Sequence, residues 1–234
     1  MPATQVTEGV HRLTQGVVNF YLVEEGGRLL LVEAVAALGR RLDDLEAVLL
    51  THAHADHIGT AERARATAGA RVWVHQADEA MARSGKATRT DGKVRTYLLR
   101  AEFYRTLFSL ARRGATRIVP VRELATFADG ETLELPGRPR AVYAPGHSPG
   151  SAALLLEGHR VLLAGDVLAT RNPLTGRDGP QIMPSGLNSD TPQALRSLAA
   201  LDGIRADLLL PGHGEPWTGG MTEALRRARA AGPS

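Results

Sequence analysis

The sequence predicts an α/β fold in which β-sheets are covered by helices. Strand-like and helix-like segments alternate along the chain. Several of the strand-like runs, 47–50 (AVLL) and 152–156 (AALLL) among them, are apolar at every position, as strands buried on both faces are. The chain has 234 residues, 43% hydrophobic and 23% charged, enough to bury a core without covalent staples. We read residues 1–234 as a single domain.

Taken in order, residues 17–23 (VVNFYLV) and 29–33 (LLLVE) read as two strands around a hairpin turn at Glu24-Glu25-Gly26-Gly27. A short helical or loop segment follows over 36–45, and the strand 47–50 stops at Thr51. Beyond His57 the pattern turns helical over 59–68, closed by Gly69, before a strand at 71–74 and a helix at 78–83. A longer helix is predicted over 93–113. Its residues Tyr97, Leu98, Ala101, Tyr104, Phe108 and Ala111 recur at spacings of three and four and so share one face. Arg95, Arg105, Arg112 and Arg113 lie opposite. Residues 80–114 are expected to form a helical cap. The second half supplies strands at 118–121, 131–135, 141–143, 152–156, 161–163 and 207–210. A helix capped by Thr191, with Pro192 first inside it, ends near Gly203. A last helix covers 221–231.

The chain has no cysteine, so any metal must be held by His, Asp and Glu. Residues 1–9 carry no basic start followed by an apolar stretch, and no window approaches the roughly 18 apolar residues of a span. A cytoplasmic location and no membrane partner are the expectation. The net charge of +3 and pI near 9.7 come with arginines spread along the chain, which predicts no nucleic-acid partner.

Four apolar runs end in the same way. AVLL leads into Thr51-His52-Ala53-His54-Ala55-Asp56-His57, AVY into Ala144-Pro145-Gly146-His147, VLLA into Gly165-Asp166 and DLLL into Pro211-Gly212-His213. Each sets a ligand-capable side chain just past a buried strand, where sites form in such sheets. His52 and His54, two apart in an extended segment, point to one side. Imidazole and carboxylate suit zinc, iron and manganese, and seven such groups suffice for two metals sharing a carboxylate. Taken singly, His147 and His213 would be ordinary turn histidines and Asp166 a helix cap; the shared placement joins them to the cluster. His11, His75 and His159 lie outside the pattern.

HAHADH followed by Gly59, PGHSPGS at 145–151, AGD at 164–166, PGHG at 211–214 and the opening NFYLV and LLLVE strands together resemble the metallo-β-lactamase superfamily. The resemblance covers nearly the whole chain. It implies a four-layer αβ/βα sandwich, two mixed β-sheets face to face and flanked by helices. It also implies a ligand set: His52, His54 and His147 for one metal, Asp56, His57 and His213 for the other, with Asp166 bridging. Two such cations lower the pKa of a shared water toward neutrality, and Asp56 is a candidate for handling its proton, which makes Asp56 and Asp166 the catalytic carboxylates. The expected cofactors are two Zn2+ ions, with Mn2+ or Fe2+ accepted by the same ligands. Many relatives carry Asp-Thr-Gly after the second strand where this chain has Glu33-Ala34-Val35, and the segment up to Ala47 is short; Glu33 is either a support for a ligand or a surface acid.

True β-lactamases of the superfamily hold cysteine or serine at the position of Asp166. Neither the glutathione-binding C-terminal region of glyoxalase II relatives nor the inserted domain of the nucleases is expected in these 234 residues, and His54 excludes the flavodiiron pattern. Lactonase relatives often place a tyrosine shortly after the bridging aspartate, where this chain has Val167-Leu168-Ala169. The resemblance therefore points to hydrolysis of a small-molecule ester, thioester or lactone. A second reading is a mononuclear-iron persulfide dioxygenase. Behind these stand a β-lactamase, a phosphodiesterase and a non-catalytic metal-binding protein. Tyr97 and Tyr104, with Phe103 and Phe108, could roof the site, form a homodimer contact or simply pack the cap onto the body. Arg171 and Arg177, in the loop after Asp166, are candidates for a carboxylate or phosphate tail.

Overall fold

The computed structural model describes residues 3–33, 45–112 and 114–234. Seven strands form the first sheet in sequence order: β1 (Thr4–Thr7), β2 (Val10–Gln15), β3 (Val18–Glu25), β4 (Arg28–Val32), β5 (Leu45–Leu49), β6 (Arg71–His75) and β7 (Ala125–Phe127). Pairing is antiparallel from β1 to β4 and parallel from β4 to β7. The β3–β4 hairpin closes on Gly26-Gly27, with φ of 58° and 77°, the positive values that a tight two-residue turn demands at both positions.

The second sheet has the order β13–β10–β9–β8, from β8 (Arg140–Tyr143), β9 (Ala152–Leu156), β10 (Val161–Gly165) and β13 (Leu208–Pro211). It too is mixed: β10 and β13 are parallel, the other pairs antiparallel. A separate hairpin joins β11 (Ala169–Arg171) to β12 (Asp178–Gln181).

Side chains of successive residues leave a strand on opposite faces, and three cores follow from that alternation. Leu30, Val32 and Leu49 of the first sheet meet Leu154, Leu156, Leu163 and Leu210 of the second. Their neighbours Leu31, Val48 and Leu50 turn outward onto α1 (Ala55–Ile58), α2 (Ala61–Ala68) and α3 (Glu79–Ser84). Ala153, Leu155, Leu162 and Leu209 turn outward onto α5 (Thr191–Ser197) and α6 (Met221–Ala231). The result is the helix–sheet–sheet–helix sandwich with two mixed sheets that the resemblance implies.

Several boundaries differ from the sequence reading. Residues 118–121 form no strand; Ile118 and Val121 are buried in extended coil, and the seventh strand is β7. Residues 131–135 contribute a single bridge, Thr132 to Arg140. The cap of α5 is Asp190, whose carboxylate accepts from Gln193 N–H, so Thr191 opens the helix and Pro192 comes second. The long helix predicted over 93–113 is two pieces: a 3-10 turn (Val94–Tyr97) and α4 (Ala101–Ala111), broken over 98–100. Of the segment expected over 36–45, residues 36–44 lie outside the described residues and Leu45 opens β5.

Candidate metal centre

The loops beyond β5, β8, β10 and β13 bring all seven predicted groups together. His52 Nε2 lies 3.2 Å from His147 Nε2, which lies 2.8 Å from His54 Nδ1. On the other side, Asp56 Oδ2 lies 3.5 Å from His213 Nε2 and 3.7 Å from His57 Nε2. Between the two groups sits Asp166, whose Oδ2 is 3.3 Å from His147, 3.4 Å from His213, 3.5 Å from His57 and 4.0 Å from His52. Metal–nitrogen bonds of about 2.0–2.1 Å in a tetrahedral shell set neighbouring ligand atoms roughly 3.3 Å apart. The spacings of the cluster are those of ligand shells. Within each triad the donor atoms all lie within 4.8 Å of one another.

The unshared ring nitrogens decide which lone pairs face inward. His213 Nδ1–H donates to the Val17 carbonyl at 2.7 Å, which turns Nε2 toward the cluster. Asn188 donates its amide to Met183 O, so its Oδ1 accepts from His147 Nδ1–H at 3.2 Å. Thr51 donates its hydroxyl to Glu33, and its oxygen lies 3.1 Å from His52 Nδ1. Glu33 Oε2 also lies 3.1 Å from His57 Nδ1. Glu33 is therefore no surface acid: it is 1% exposed, backs two histidines and holds a φ of 69°, a left-handed conformation that costs a non-glycine residue about 1 kcal/mol or more. His57 Nε2 and Asp166 Oδ1 are buried without a hydrogen-bond partner among the described residues, which a bound cation would supply. The donor set and these orphaned atoms fit divalent metal.

Charge follows the same division. Burial pushes His147 down to about 3 and lowers His52, with neighbouring imidazoles adding to the effect, so both are neutral. Burial also opposes charge on His213, but Asp166 and Asp56 outweigh it and raise it to about 10. His57 is raised likewise by Glu33, Asp166 and Asp56 against its burial. Burial would raise Asp56 and Asp166; the cationic His57 and His213 overcome it and hold both carboxyls well below the usual range.

Asp78 joins the two loops that carry the first triad. It is fully buried and accepts Ala53 N–H at 3.0 Å, Ser148 Oγ–H at 2.6 Å and Gly150 N–H at 2.6 Å. The loop carrying His213 is tied to β3: Asn19 Nδ2 donates to Pro211 O at 3.1 Å and Gly214 O at 2.6 Å, and Tyr21 donates to Pro211 O at 2.8 Å. Gly212 is glycine because a Cβ there would run into Asp166 Oδ1 and His57 Cε1.

His54, Asp56, His147, Asp166 and His213 form the floor of a cavity of about 610 Å3. Its walls are largely apolar: Val94, Phe103, Leu107 and Leu110 from the cap, with Ile118, Leu174, Met183 and Leu187 from the body. Thr88, Thr90, Thr106 and Thr116 add hydroxyls, and Arg117 stands at the wall. None of the four predicted substrate contacts lines it. Tyr97 is buried and donates to Ser234 O at 2.7 Å, anchoring the C-terminal residue. Tyr104 is 53% exposed on the outside of α4. Arg171 pairs with Glu102 at 3.2 Å and Asp178 at 2.8 Å, and Arg177 bonds Ala231 O. The cavity walls lack a motif, since apolar residues converging from five segments leave no local pattern.

The model of the metallo-beta-lactamase superfamily matches residues 13–213. The chain is 26% identical to the probable metallo-hydrolase YflN of Bacillus subtilis (strain 168), over 92% of this chain and 87% of the relative. Among solved structures it is similar to the metallo-beta-lactamase family protein TTHA1429 of Thermus thermophilus (TM-score 0.69, 26% identity, 97% of this chain and 80% of that one). It also resembles a metallo-beta-lactamase with an HARLDQ motif from Cronobacter sakazakii (TM-score 0.67, 21% identity, 98% and 92%), a likeness of fold alone.

Proposed function

Because the chain belongs to the metallo-beta-lactamase superfamily, we propose that it is a binuclear metal-dependent hydrolase acting on a small-molecule ester, thioester or lactone. The carrying observation is Asp166 Oδ2, within 4.0 Å of the Nε2 atoms of His52, His57, His147 and His213, between two triads of donors. His52, His54 and His147 would hold one cation, Asp56, His57 and His213 the other, and Asp166 would bridge. Bound there, two divalent cations (zinc, or manganese or iron) supply Lewis acidity and a water acidic enough to react near neutral pH.

The chain's own residues do the rest. Glu33, Asn188 and the Val17 carbonyl fix ring orientation, so the lone pairs are aimed before any ligand arrives. Asp56 lines the cavity and its side chain is 18% exposed, where that of Asp166 is 2% exposed. Asp56 is thus the carboxylate on the substrate side, and the oxygen that does not hold the cation can take a proton and deliver it to a leaving oxygen or sulfur. The cavity is of the size of small-ligand sites, and its apolar walls fit an acyl chain and exclude water from the reacting carbonyl. The second triad supports this reading over a single-iron dioxygenase, which needs two His and one Asp and would leave Asp56, His57 and His213 without a task.

The test is a panel of acyl esters, thioesters and lactones, assayed with metal-loaded and chelator-treated protein. Turnover of at least one class, abolished by the chelator and by Asp56→Ala, is expected. Persulfide-dependent oxygen uptake with no hydrolysis would overturn the proposal.

A further inference from the structure

The roof of the cavity carries a surface that hydrolysis does not use. Between residues 86 and 117 lie nine of the chain's 28 cationic side chains but two of its 25 carboxylates, so the rest of the chain is net negative. The same stretch exposes Leu99 (98%), Phe108 (63%), Tyr104 (53%) and Leu98 (45%). The helix α4 lays Phe103, Leu107 and Leu110 along the cavity but does not turn its remaining aromatic residues to the body. It sets polar residues against the body, with Thr106 Oγ donating to Pro173 O at 2.6 Å and Glu102 pairing with Arg171. Tyr104 and Phe108 are left outward, and the Arg112 guanidinium lies over the Phe108 ring at 5.4 Å.

An apolar ridge of this kind calls for a covering of low polarity, and the charges around it choose among coverings. Lys93, Arg95, Arg100, Arg112 and Arg117 are exposed and form no ion pair among the described residues. The two carboxylates of the stretch are engaged, Glu102 with Arg171 and Asp91 with Thr191 N–H. A second copy docked by two-fold symmetry would set these cations against their own images with no acid to answer them. An anionic bilayer offers both parts: phosphates for the cations and an acyl boundary for the ridge.

We propose that this cap docks on the surface of an anionic phospholipid membrane. Leu99 and Phe108 enter the headgroup–acyl boundary, and Arg100 and Arg112 meet lipid phosphates. Val94, Leu107 and Arg117 belong both to this exposed face and to the cavity wall, so docking turns the cavity mouth toward the bilayer. The absence of an apolar window long enough to span, on which the expectation of no membrane partner rested, has no bearing on surface docking. The inference stands apart from the metal chemistry and needs no turnover to test.

The experiment is co-sedimentation of the full chain with phosphatidylcholine vesicles, with and without about one-third phosphatidylglycerol. Binding to the anionic vesicles alone, weakened at least about tenfold by Leu99→Asp/Phe108→Asp and by Arg100→Glu/Arg112→Glu, is expected. Both double variants change exposed side chains and should keep the parent's melting temperature and metal content. Equal binding to neutral vesicles, or no binding to either, would overturn the proposal. So would a dimer in sedimentation velocity that the Leu99→Asp/Phe108→Asp variant dissolves, since the face would then belong to a second copy.

Discussion

Each of His52, His147 and His213 has Nδ1 tied to a neighbour and Nε2 turned inward, and Glu33 stands behind His57. Glu33→Gln would keep the shape of that side chain and lose its charge. A fall in metal affinity of about 10–100-fold is expected, read by competition with a chromophoric chelator; His11→Ala, outside the cluster, should leave affinity unchanged. The titrations carry a second expectation. An unfolded imidazole titrates near 6.5. Below about that pH the unfolded chain takes up protons that His147, at about 3, and His52 refuse, so metal-free stability falls with acidity. Above it the unfolded chain sheds protons that His213, at about 10, and His57 retain, so stability falls again. The melting temperature of metal-free protein should therefore peak near pH 6.5, and a profile that rises steadily from pH 4 to 9 would contradict this charge assignment. At this scale the ligands were legible and most of their supports were not. HAHADH is dense enough to read and Glu33 was one of two alternatives, whereas Thr51, Asn188 and Asp78 are ordinary residue types that only the fold brings near.

Among the elements, the loops that follow β5 and β8 depend on one carboxylate. Asp78→Ala would leave Ala53 N–H, Gly150 N–H and the Ser148 hydroxyl without their acceptor. The expected cost is about 3 kcal/mol, a fall in melting temperature of roughly 6–12 °C, with weaker metal binding. A melting temperature equal to the parent's would mean that the loops hold themselves. Gly212→Ala should fold yet lose metal, because its Cβ would displace Asp166. Strands that are apolar on both faces, such as β9 and β10, were read directly from their composition. The pattern failed on α4. Periodicity marks a face but not what covers it, and here Thr106 and Ser109 go inward while Tyr104 and Phe108 go outward. It also failed on β1 and β2, whose mixed burial gives no run to recognise.

For the whole molecule, the two sheets close on one another through Leu30, Val32, Leu49, Leu154, Leu156 and Leu163, and four strand ends meet in one metal-binding cluster. Any ion bound there bridges loops from both sheets, so chelation should lower the melting temperature without unfolding the protein. The overall architecture was legible because the family resemblance covers nearly the whole chain; the cavity and its charged roof appear only in three dimensions. Two cations sharing Asp166 are the centre of the proposed chemistry. Elemental analysis of protein purified without added metal tests it most directly: about two equivalents of divalent metal per chain, falling to one or fewer in Asp166→Ala, is the expected result. One equivalent of iron in the parent, unchanged when His213 is replaced by alanine, would contradict it.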